Sequence, residues 1–208
     1  MSNFSTKGYE AKDFGDSKYI SPGIVVARIK EITYGESSKK KTPYLEIHFE
    51  EMDEKTKKPT GKEGTTVWYL SEKAWEPDKG TGTKWRVAYL ADKLGMRSAL
   101  DKVTETASSA EEFVQGINKV FKGKVGRFVF SGEEIAPSDP SKSSWIKASL
   151  RNYKFVEPVN QNPSTLTFDE TKDIKRFPVQ PNDNPNLTNA GLEEDPFETS
   201  AETEDDLW

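Results

Sequence analysis

The chain has 208 residues, and 30 Lys+Arg against 35 Asp+Glu leave a formal net charge of -5. Taken whole, that balance argues against the basic footprint of a nucleic-acid binder, and the absence of cysteine excludes disulfides and thiolate metal sites. The average hides a split: residues 1–157 carry 27 basic and 23 acidic side chains, a net of +4, whereas residues 158–208 carry 3 and 12, a net of -9.

Counting glycine and leaving out tyrosine, about 37% of residues are apolar, against the ~45–50% usual for globular domains. Part of the chain is therefore expected to stay outside a core. No run approaches the ~18 apolar residues of a membrane span, and the start lacks the apolar core of a signal peptide. The expectation is a soluble protein with no membrane partner.

Residues 1–20 are polar, with Phe4, Tyr9, Phe14 and Tyr19 at intervals of five, which fits neither regular period. They are read as an arm. Ser21-Pro22-Gly23 marks a turn, and the β-branched run Ile24 to Ile32 reads as a first strand. A polar loop with Lys39, Lys40 and Lys41 leads to Pro43–Glu50, where Leu45, Ile47 and Phe49 alternate with Tyr44, Glu46 and His48. After a charged connection, Glu51 to Gly64, the segment Thr65–Leu70 is a third strand.

The period then changes. Trp85, Ala88, Tyr89, Ala91 and Leu94 fit one helix ending at Gly95. Ser109 followed by Glu112 has capping-box spacing for a second, whose apolar face would use Phe113, Ile117, Val120 and Phe121. Gly123–Phe130 returns to strand character. In Ser144–Tyr153, Ile146, Ala148 and Leu150 alternate with Trp145, Lys147, Ser149, Arg151 and Tyr153.

Three strands, a helical insertion and two strands is the order of a five-stranded oligonucleotide/oligosaccharide-binding (OB) barrel. The fold expected is mainly β, with an arm at 1–20, the barrel at 21–157, an Asn/Pro-rich linker at 158–190 and a disordered acidic tail at 191–208.

Candidate binding residues follow from parity. On the fifth strand Trp145, Lys147, Arg151 and Tyr153 form an outward row of rings and cations. The first strand offers Arg28 and Lys30, the second Tyr44 and His48, and the loop between them Lys39, Lys40 and Lys41. Rings that stack on bases and cations that track phosphates are what sequence-tolerant single-strand binding needs. Enzyme readings fare poorly. One histidine and no cysteine argue against a structural zinc site, and Gly80-Thr-Gly-Thr-Lys84 lacks phosphate-loop spacing, so neither a catalytic residue, a metal nor a cofactor is expected.

The tail holds eight carboxylates and no cation in residues 191–208. Two near-repeats, Glu193-Glu-Asp195-Pro-Phe197 and Glu204-Asp205-Asp206-Leu207-Trp208, each set three carboxylates before an apolar residue and an aromatic. Solubility alone needs no aromatic ends; a ring that enters a partner's apolar pocket while basic residues meet the carboxylates does. Asp195, Phe197, Glu204, Asp205, Asp206, Leu207 and Trp208 are the expected partner-binding residues.

This tail, together with Lys41–Phe49, Trp68–Trp75 and Ala91–Gly95, resembles bacteriophage single-stranded DNA-binding proteins over about half the chain. The resemblance implies an OB fold that binds ssDNA without catalysis, and a tail that recruits replication or recombination proteins and occupies the DNA groove when DNA is absent. It also implies a cytoplasmic setting in a bacterial host. Bacterial tails of this kind end in Pro-Phe; here that pair is internal, at Pro196-Phe197, and the last residues are Leu207-Trp208. A protein-interaction adaptor or virion assembly component, and a metal-dependent nuclease, are the rival readings; self-association is left open.

Overall fold

A computed structural model describes residues 17–75, 82–137 and 143–177. The elements in order are β1 (Gly23–Glu36), β2 (Pro43–Met52), β3 (Pro59–Tyr69), α1 (Glu72–Trp75), α2 (Thr83–Lys93), α3 (Arg97–Thr106), α4 (Ala110–Phe121), β4 (Val125–Ile135), β5 (Trp145–Leu150), β6 (Val156–Glu157), α5 (Glu170–Asp173) and β7 (Ile174–Lys175). All five expected strands are present, with helices between the third and fourth. Among the described residues five strands follow the path β3-β2-β1-β4-β5, and two short strands off that path, β6 and β7, pair with β4, making seven in all.

The pairing is antiparallel except for β7, which runs parallel to β4. The expected mainly β fold is present, but the sheet of the expected OB-type barrel is open among the described residues: the end strands β3 and β5 share no ladder. The reason lies on the edge of β3. The Glu63 amide donates to the Lys18 carbonyl and the Glu63 carbonyl accepts from the Ile20 amide, both at 2.9 Å, so the arm takes the hydrogen bonds that β5 would need. Where the arm stops, the two edges meet through a side chain: the Leu150 amide donates to Thr66 Oγ1 at 2.8 Å.

Alternation along the strands sets the core. Leu45, Ile47 and Phe49 of β2 are fully buried, as are Ala27 and Ile29 of β1 and Phe128 and Phe130 of β4. The Phe49 ring stands edge-on to Phe128 and Phe130, with centroids 5.1 and 5.2 Å away. Each of the Leu, Ile and Phe side chains among these contributes roughly 1.5–3 kcal/mol by leaving water. Helix α4 covers this layer with Phe113, Val114, Ile117 and Phe121, and α2 adds Val87, Leu90 and Ala91.

The helix ends follow their local chemistry. Ser109 Oγ accepts from the Glu112 amide, while the Glu112 carboxylate reaches back to the amide and hydroxyl of Ser108, one residue short of the reciprocal capping box. Gly95 follows the Leu94 C-cap of helix α2, and its φ of +68° lets the Met96 amide donate to the Ala91 carbonyl at 2.7 Å. The sequence pattern did not indicate α3, because Leu100 is its only buried residue. It is held close to α4 at Gly116, where a Cβ would meet Val103 Cγ1 at 2.4 Å. The Asn118 side chain joins α4 to β1 by accepting from the Ile32 amide at 2.8 Å, next to the register shift between Ile29 and Glu31.

The first part of the expected linker belongs to the body. Leu166 and Asp173 are buried, β7 pairs with β4, and Arg127 of β4 donates to the Val159 and Gln161 carbonyls. Residues 1–16 of the expected arm, 178–190 of the expected linker and the tail at 191–208 lie outside the described residues.

Candidate nucleic-acid interface

The outward faces of β1, β2, β3 and β5 form one surface. Because Leu45, Ile47 and Phe49 point inward, Tyr44, Glu46, His48 and Glu50 point out; because Thr66 and Trp68 point inward, Thr65, Val67 and Tyr69 point out. The β2–β3 register sets Tyr44 opposite Tyr69 and His48 opposite Thr65. The two tyrosine rings meet edge to face with centroids 6.0 Å apart. On the other side Tyr44 lies against Gly35 of β1, where a Cβ would come within 2.5 Å of the ring; the glycine makes room for it.

Charge on this face is mostly neutralised. Arg28 pairs with Glu50, and Lys30 pairs with Glu63. The hydrogen bond that Lys30 Nζ donates to the Glu63 carboxylate raises the Lys30 pKa and lowers that of Glu63. His48 Nε2 lies 3.4 Å from Thr33 Oγ1 and 3.7 Å from Glu46 Oε2. Arg28, Lys30 and His48 are thus on the expected face, each beside a carboxylate.

The unpaired charge sits at the rim. Lys39, Lys40 and Lys41 are exposed in the loop between β1 and β2, and among the described residues none of the three makes an ion pair. The loop is closed by Ser37: its amide donates to the Thr42 carbonyl and its carbonyl accepts from the Lys41 amide, both at 2.9 Å. Lys41 adopts φ +52° there. The Tyr44–Tyr69 pair stands at the foot of this loop, since Tyr44 opens β2.

On β5, Trp145 and Lys147 are exposed as expected, with Lys147 opposite Glu133. Arg151 is not on this row. The strand ends at Leu150, so the alternation stops one residue too early, and Arg151 is only 5% exposed. Its Nε donates to the Tyr153 carbonyl, Nη1 to the Thr167 carbonyl and Nη2 to the Lys154 carbonyl, while Nη1 also faces the Asp173 carboxylate. Arg151 therefore fastens the 158–177 segment. Tyr153 remains exposed, with its ring over the Arg151 guanidinium at 4.7 Å.

Two aromatic residues at this surface, Tyr69 and Tyr19, are not among the binding residues expected from the sequence. Tyr69 was legible, because it alternates with the buried Trp68. Tyr19 had no periodic signal and is positioned only by the arm's docking. The expected tail residues Asp195, Phe197, Glu204, Asp205, Asp206, Leu207 and Trp208 lie outside the described residues.

Between the arm, β3 and β5 runs a groove of about 800 Å³, lined by Tyr19, Glu63, Thr65, Trp145, Lys147 and neighbouring residues. It follows the seam left open between the two edge strands.

No family model matches the chain, and no curated protein matches it. Among solved structures it is similar to yeast RPA bound to ssDNA, at 11% identity and a TM-score of 0.30, over 73% of this chain and 85% of that one.

Proposed function

We propose that this protein binds single-stranded DNA without sequence specificity, through an OB-type sheet, in phage DNA replication, recombination or repair. The observation that carries the reading is the Tyr44–Tyr69 pair beside the unpaired Lys39, Lys40 and Lys41. Rings offer bases a stacking surface of about 1–3 kcal/mol each, and the lysines exchange counterions for phosphates. Strand order and the helical insertion support the OB reading, since that barrel is five-stranded, partly open, and grips oligonucleotides with its second and third strands and its first loop.

On this reading the backbone of DNA runs from the lysine loop across β2 and β3 toward Lys147. Because Arg28 and Lys30 are already neutralised, affinity rests on the rim rather than on the sum of charges. The protein holds DNA and does no chemistry on it. The tail competes with DNA for the rim cations through its eight carboxylates, and its aromatic ends recruit replication or recombination proteins. Titrating the full chain with a single-stranded oligothymidylate and following tryptophan fluorescence tests the function. Saturable quenching is expected; no quenching at low salt would overturn it and favour the adaptor reading.

A further inference from the structure

The seam groove has features that the rest of the face lacks. Three of the six exposed rings among the described residues already rest on something, Tyr69 on Tyr44, Trp85 on Tyr89 with centroids 4.9 Å apart, and Tyr153 on Arg151, while Phe177 is exposed but does not line this groove. Among the described residues, Tyr19 and Trp145 have no ring partner, although they are 75% and 54% exposed and line the same groove. Two exposed rings that line one groove offer apolar faces on which a flat ligand can stack.

The backbone beneath both rings is held in place. Tyr19 is framed by the two backbone bonds to Glu63, and its amide donates to Ser17 Oγ at 3.2 Å. The following residue, Ile20, is buried against Gly64, where a Cβ would meet its Cδ1 at 3.2 Å. Pro22 and Ile146 close over Gly132, where a Cβ would lie 2.9 and 2.6 Å from them. Two glycines thus admit the arm to the sheet, and the arm builds one wall of the groove. Trp145, opposite Ile135 at the start of β5, builds the other. Lys147 and Thr65 add a cation and a hydroxyl along the same lining.

We infer that this groove is a slot for an unstacked nucleobase of the bound strand, held by Tyr19 and Trp145, with Lys147 on the adjoining phosphate. The inference rests on the ssDNA reading above and adds a site to it. The volume is within the ~300–1,000 Å³ range of ligand pockets and holds a nucleotide. A slot in the seam also gives the arm a role: it closes the edge of β3 and supplies a ring.

The test compares two single strands of equal length, oligothymidylate and an abasic deoxyribose-phosphate strand, on the full chain and on Tyr19→Ala, Trp145→Ala and Trp145→Phe. Each alanine variant is expected to lose about ten-fold in affinity for oligothymidylate and less than about two-fold for the abasic strand; Trp145→Phe retains most of the affinity. If the alanine variants bind oligothymidylate like the parent, the slot is refuted while the ssDNA reading stands. Equal loss on both strands also refutes it, because the effect is then not on bases. If the parent binds neither strand, both readings fall.

Discussion

The guanidinium of Arg151 lies 3.3 Å from the carboxylate of Asp173, with both side chains 6% exposed. This pair joins the residue after β5 to the segment that follows β6, and three backbone carbonyls complete the arginine's bonds. Breaking a buried pair strands a charge, so Arg151→Ala is expected to lower stability by about 3–5 kcal/mol. Urea denaturation measures it. The same variant should bind ssDNA normally under conditions where it remains folded, because the arginine faces the interior.

The acid limb of stability should depend on Glu157. Burial pushes its carboxyl up, but bonds from Ser164, Thr165 and Arg127 outweigh that and bring it down to about 2 from 4.5. A depressed carboxylate stabilises the fold above its unfolded pKa and loses that contribution as pH falls toward the folded value. Stability is therefore expected to drop between about pH 4.5 and 2, by about 3 kcal/mol from this group. Glu157→Gln should be less stable at neutral pH and show a flatter acid limb in thermal melts; an unchanged limb would contradict the assignment.

Thr66 Oγ1 links the two edge strands by accepting from the buried Leu150 amide. Thr66→Val leaves the buried Leu150 amide without an acceptor and should cost about 1–3 kcal/mol, whereas Thr66→Ser should cost less. Hydrogen exchange at the Leu150 amide should accelerate in the valine variant and stay slow in the serine variant.

The strands were legible in the sequence because their alternation is strict. Leu45, Ile47 and Phe49 against Tyr44, Glu46 and His48 gave both the core and the outer face of β2. The helix ends at Gly95 and Ser109 were legible for the same reason, a local rule with few competitors. Arg151 was misplaced because periodicity carries no signal for where a strand stops; the residue after Leu150 reads as outward by parity and is inward in fact. Tyr19 and the packing of 158–177 depend on contacts between distant residues, Ile20 on Gly64 and Arg151 on Asp173, which no local pattern encodes. Pairing hid in the same way: Arg28 and Lys30 count as cations in the sequence, yet their cross-strand carboxylates cancel them.

Removing residues 191–208 deletes eight carboxylates without touching the described body. The truncated chain is expected to bind ssDNA more tightly than the full chain at low salt, with the difference closing as salt screens both. Equal affinity at low salt would refute competition by the tail. Deleting Trp208 alone should leave ssDNA affinity unchanged and abolish capture of a replication partner; loss of both together would contradict the division of labour.

The most direct test of the central claim is the salt dependence of ssDNA affinity in the full chain and in a Lys39→Ala, Lys40→Ala, Lys41→Ala variant. Each phosphate neutralised contributes about -0.7 to the slope of log affinity against log salt, so three lysines account for about -2. The account predicts a negative slope in the parent that becomes shallower by about that amount in the variant. A parent that binds with no salt slope, or a variant whose slope is unchanged, would contradict it.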